Sequence, residues 1–89
     1  MDKFFQVISY YPNKDQITIK NFASVSDALK EYDSVIEDFR EMYGNTIVSE
    51  TSLRYRDNDT IAETRMLLDE YYANAYSSVE EINLSMIKK

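Results

Sequence analysis

The sequence predicts an α+β domain of order ββαβα with a short C-terminal element, a small antiparallel sheet packed by helices. Three observations carry that expectation. Two stretches near the start, rich in aromatic and β-branched residues, flank a Pro-Asn-Lys-Asp turn. From Val25 to Tyr43 the apolar residues recur every three or four positions, and the pattern stops at the only glycine, Gly44. A chain of 89 residues, 44% hydrophobic, with one Gly and one Pro, suits one domain of long regular elements spanning 1–89.

Lys3 to Tyr11 reads as a strand, with Phe5, Val7, Ser9 and Tyr11 on one face and Phe4, Gln6, Ile8 and Tyr10 on the other. Pro12 fixes φ in the turn that follows, and Asn13 and Asp15 tolerate turn geometry. Gln16 to Lys20 alternates and completes a hairpin, with Ile17 and Ile19 expected to face inward. Ser24 opens a helix, with Asp27 three residues on in a capping arrangement. Val25, Ala28, Leu29, Tyr32, Val35, Ile36, Phe39, Met42 and Tyr43 fall within an arc of about 140°, and Gly44 suits the helix end.

Thr46 to Arg56 reads as a third strand, with Ile47, Ser49, Thr51, Leu53 and Tyr55 on one face. Asp57-Asn58-Asp59 supplies turn and cap chemistry, and Thr60 with Glu63 resembles a capping box. A second helix to about Tyr76 is then expected, with Ile61, Leu67, Leu68, Tyr71, Tyr72 and Ala75 as its core face and Met66 at the edge of its acidic face. In the last segment Ile82, Leu84 and Met86 alternate as in a strand, while Ser78 with Glu81 suits a capped helix; a short helix is the favoured reading.

Charge is unevenly placed. The formal balance is −6 at pH 7. Between Asn21 and Leu53 there are seven acids (Asp27, Glu31, Asp33, Glu37, Asp38, Glu41, Glu50) against Lys30 and Arg40. Between Asp57 and Ile87 there are seven more (Asp57, Asp59, Glu63, Asp69, Glu70, Glu80, Glu81) against Arg65 alone. Such blocks repel nucleic acid and anionic membrane and attract basic protein surfaces. Arg54 and Arg56 share a strand face, and pairing with Glu50 or a helix carboxylate is expected there rather than nucleic-acid contact.

Several function classes lose support. Without His or Cys the commonest general base and thiol nucleophile are missing, and the carboxylates lie on solvent faces, so no enzyme activity is expected. Asp57-Asn58-Asp59 begins like a calcium loop. Ile61, Ala62 and Leu68 then stand where a ligand, a glycine and a bidentate Glu are required. No metal or cofactor is expected. There is no long apolar run for a transmembrane helix, Met1 to Gln6 is too short and polar for a signal peptide, and the absence of Cys fits the cytoplasm.

What remains is a binding protein. Asp27 to Glu41 covers about 21 Å of helix, and carboxylates along such a ridge approximate a row of phosphates. A basic groove built for a polyanion would accept it, with affinity that falls as salt rises. The candidate partner-binding residues are Asp27, Glu31, Asp38 and Glu41, then Glu63, Asp69 and Glu70, with Tyr72 and Tyr76 among eight tyrosines that cannot all be core. In size, acidity, lack of catalytic residues and Lys/Ile/Asn/Tyr-rich composition, the chain resembles the small acidic α+β proteins with which phages and mobile elements inhibit host nucleases, CRISPR effectors, restriction enzymes or polymerases. That resemblance implies nucleic-acid mimicry against a host protein, in the host cytoplasm. The alternative expectation is an assembly module, a homodimer or larger homo-oligomer formed through the N-terminal strands.

Overall fold

A computed structural model describes residues 3–54, 59–69 and 73–84. It comprises β1 (Lys3–Tyr11), β2 (Gln16–Phe22), α1 (Val25–Tyr43), a 3₁₀ turn (Gly44–Thr46), β3 (Ile47–Arg54), β4 (Thr60–Leu68) and β5 (Ala73–Asn83). The strands form one antiparallel sheet in the order β2-β1-β5-β4-β3. The architecture is thus α+β with a five-stranded sheet and one long helix. The first and last strands meet at its centre, so chain closure is built from β1 pairing with β5.

The N-terminal hairpin follows from its turn. The amide of Lys14 donates to the Tyr11 carbonyl and that of Asp15 to the Pro12 carbonyl. Asp15 takes φ +47°, a left-handed conformation that Asp tolerates better than most residues. The Tyr10 hydroxyl donates to Asp15 Oδ1 at 2.8 Å and braces the corner. Helix α1 is capped as its sequence signals: the Asp27 amide donates to Ser24 Oγ at 3.1 Å. At its other end Gly44 sits at φ +33°, where a side chain would be strained, and its amide donates to the Arg40 carbonyl.

α1 lies over β1 and β5, with lighter contact on β2. Its inner face of Ala28, Tyr32, Val35, Ile36, Phe39 and Tyr43 meets Phe5, Val7, Ala62, Met66, Leu68, Ala75 and Val79 in one core. Tyr11 seals the end against Phe39, ring centroids 5.1 Å apart and edge to face. Polar groups trapped in this layer find partners: Ser9 with Ser77 at 3.0 Å, and the Tyr32 hydroxyl with Thr64 Oγ1, which also meets Ser52 Oγ at 2.9 Å.

The expected second helix is not present. Thr60 to Leu68 is β4, and the following segment from Ala73 is β5. The segment carries two periods at once. Read with period two, Ala62, Thr64, Met66 and Leu68 form one row, and all four are buried. Met66, expected at a solvent edge, is fully buried, whereas Leu67, expected in the core, is 45% exposed. Pairing with β3 and β5 decides between the two patterns, because a strand's preference is set by its neighbours more than by its own residues. The same pairing makes the favoured C-terminal helix a strand as far as Asn83, since β5 joins β1 to β4 in the sheet. Asp57 and Asn58, the proposed turn, lie outside the described residues, as do Tyr71 and Met86.

Two smaller expectations also change. Ile17 and Ile19 point away from the helix, 63% and 57% exposed, because the register sets them opposite Tyr10 and Ile8 rather than beside Phe5 and Val7. In β3 a register irregularity between Ile47 and Ser49 breaks the expected single face. Ile47 packs against the core, while Ser49, Thr51 and Leu53 stand on the uncovered side. β1 has both edges paired inside the chain, so an assembly through the N-terminal strands has only the β2 edge or the uncovered face available. No described helix is long and apolar enough to cross a membrane.

Candidate protein-binding surface

α1 presents its acids away from the sheet because its inner stripe is used for the core. Asp27, Asp38 and Glu41 are exposed, and Glu31 is half-buried on the β2 side. Successive members are four, seven and three residues apart, so they line one flank of the helix, with Ser34 filling the gap between Glu31 and Asp38. Lys20 of β2 reaches Glu31 at 3.1 Å, which neutralises one carboxylate of the row. No ion pair is formed by Asp27, Asp38 or Glu41 among the described residues. On the opposite flank Arg40 is shared between Glu37 at 3.7 Å and Glu50 of β3 at 2.8 Å. Those carboxylates raise the Arg40 guanidinium further above its ordinary value, the hydrogen bond that Arg40 donates to Glu50 being the largest cause.

This row is badly placed for helix stability. Asp27 at the N-terminus suits the macrodipole, but Asp38 and Glu41 near the C-terminus oppose it. Asp27 with Glu31 and Glu37 with Glu41 are like charges at i,i+4, each costing a few tenths of a kcal/mol. The ridge's field reaches its neighbours. Burial pushes the Tyr11 hydroxyl above its ordinary value, and the charges of Asp38 and Glu31 add to the shift.

The second acidic stripe does not exist as a stripe. Glu63 lies on β4, on the uncovered side of the sheet, and accepts from Arg65 Nε at 2.6 Å. Asp69 is exposed just past β4, where its amide donates to the Thr46 carbonyl. Tyr76 on β5 stands opposite Arg65, whose guanidinium carbon lies 4.8 Å from the ring centroid. Glu70 and Tyr72 lie outside the described residues. Of the sequence-derived set, the structure therefore joins Asp27, Glu31, Asp38 and Glu41. It separates Glu63 and Tyr76 from them by the thickness of the sheet.

Two features escape sequence reasoning. The first is the uncovered side of the sheet, where Ile8, Tyr10, Ile17 and Ile19 lie side by side across β1 and β2. The alternation of β1 shows its two apolar faces, but not which of them a helix would leave open. The second is a cleft of about 530 Å³ between α1 and β3, lined by Tyr32, Asp33, Ile36, Arg40, Ser52 and Arg54, among others. It exists because α1 stops short of the sheet's edge. Arg54 enters it without an ion pair among the described residues; Glu50, its expected partner, is taken by Arg40. No known protein family, curated protein or solved structure matches this chain.

Proposed function

We propose that this chain is a non-enzymatic binding protein whose α1 ridge occupies a basic, nucleic-acid-binding surface on a target protein. The concrete form is a phage or mobile-element inhibitor of a host defence or nucleic-acid-processing enzyme, acting by nucleic-acid mimicry. One observation carries the reading: Asp27, Glu31, Asp38 and Glu41 line one helix flank over about 21 Å, and among the described residues only Glu31 is ion-paired. Acids that weaken their own helix and lack internal partners are accounted for by an external basic partner. The folded chain holds the row on a rigid element, so binding requires little ordering of the ridge itself.

The test compares the tagged protein with Asp38→Lys/Glu41→Lys, two exposed positions whose replacement leaves the core untouched. Both are exposed to bacterial lysate and washed at rising salt. The expected result is capture of a basic nucleic-acid-processing protein that elutes steeply with salt and is lost with the double variant at unchanged circular dichroism. Equal capture by both proteins overturns the reading.

A further inference from the structure

Among the described residues the sheet ends in two unpaired edges, and they differ. β2 is guarded in the ways natural edge strands are: Lys20 lies within it, and Pro12, Lys14 and Asp15 stand at its turn. β3 carries no Lys and no Pro, and its irregularity is confined to its first residues, leaving Ser49 to Arg54 in regular register with β4. All of β3 after Ile47 is exposed, and no strand pairs its outer edge among the described residues.

The charges of β3 select an occupant. Glu50, Ser52 and Arg54 share the helix side of the strand, while Thr51 and Leu53 share the other. When two copies of β3 pair antiparallel about a two-fold axis normal to the sheet, helix-side residues must face helix-side residues. Centring the axis on Ser52 sets Glu50 of each copy opposite Arg54 of the other, twice by symmetry, and Thr51 opposite Leu53. Centring on Glu50 or Arg54 sets like charges face to face, and centring on Thr51 leaves both charges without an opposite. Arg40 contacts Glu50 through Oε2, which leaves Oε1 to meet a second cation, and Arg54 has no ion pair among the described residues. The geometry points to a two-fold homodimer in which β3 pairs with β3 of a second copy about Ser52, making one ten-stranded sheet. The interface is isologous and closes on itself. It also places both α1 helices on the same side, roughly 29 Å apart at about six strand spacings. This inference stands without the acidic-ridge reading, since none of its residues belongs to the ridge.

The chain has no cysteine, so one introduced at the axis reports cleanly. Residues directly opposite in an antiparallel pair have Cα atoms about 4.5–5.5 Å apart, within disulfide range. Ser52→Cys is expected to oxidise at low micromolar concentration to a covalent dimer, while Ile19→Cys on the other edge stays monomeric. Sedimentation of the unmodified chain is expected to show a concentration-dependent dimer. Glu50→Arg and Arg54→Glu should each weaken it about tenfold, as two opposite-charge pairs become like-charge pairs. Mixing those two variants restores the pairing as a heterodimer, which a merely misfolded variant would not do. A monomer up to millimolar concentration overturns the inference, as does a dimer indifferent to both charge reversals.

Discussion

The two sides of this sheet are made from the same strands and fare differently. On the side under α1, Val7, Met66, Ala75 and Val79 are almost completely buried. On the other, the small Ser78 is buried, but its larger neighbours Ile8, Leu67 and Tyr76 are half-buried or exposed, and Ile17 and Ile19 are more than half exposed. Residue type does not explain the contrast, because both sides carry aliphatic and aromatic residues. The one α-helix among the described residues does. One α-helix is about 10 Å across, enough to cover two or three strands of a five-stranded sheet. α1 spends its coverage on β1 and β5 and leaves a cleft above β3. The covered side therefore carries stability, and the uncovered side and the free edges are where association remains open.

That contrast breaks most readily at Phe39, which is fully buried against Tyr11 and Tyr43. Phe39→Ala is expected to cost about 3–5 kcal/mol, out of a total of about 5–15 kcal/mol for a domain of this kind. Ile19→Ala, on the uncovered side, should change stability by no more than about 0.5 kcal/mol. Urea unfolding of both variants checks the pair, and similar losses would mean that α1 does not define the core.

A smaller effect separates two tyrosine hydroxyls. That of Tyr32 is bonded to Thr64 in the buried layer, and that of Tyr10 to Asp15 at the surface. Tyr32→Phe removes a partner from a buried group and is expected to cost about 1–2 kcal/mol. Tyr10→Phe should cost under about 0.5 kcal/mol. Reversal of that order in thermal melts would show that the turn, not the helix-covered layer, holds the sheet.

The smallest effect is a slope. Burial first, then Asp38 and Glu31, holds the Tyr11 hydroxyl above its ordinary value. An unfolded tyrosine loses its proton near pH 10, while the folded one retains it. The stabilisation is therefore complete below about pH 10 and is lost as pH rises through the folded value. Tyr11→Phe should flatten this alkaline decline, measured as the urea midpoint between pH 9 and 11. An unchanged slope would remove the ridge's field from the account.

How much of this was readable beforehand differs by element. The N-terminal hairpin and α1 were, because each has a strong local signal at both ends: the Pro12–Asp15 turn, the Ser24 cap and Gly44. The acidic ridge was readable for the same reason, since a helix phase fixes which side chains line up. The segment from Thr60 onward reads as a helix in sequence yet forms a strand, because Ala62, Met66 and Leu68 satisfy a strand row while Ile61, Leu67 and Leu68 satisfy a helical one. Its supposed acidic face vanished with the helix, leaving Glu63 and Asp69 in unrelated places.

The local elements with their own start and stop signals, the excess of acid, and the flank of α1 on which that acid lies all follow from residue order. That β4 and β5 are strands, that β1 lies inside the sheet beside the central β5, and that Ile17 and Ile19 are left exposed came from long-range pairing. The physical reason is that a strand has no internal hydrogen bonds. Its identity, its register and the side it buries are settled by partners distant in sequence, as β1 and β5 settle one another across the whole chain.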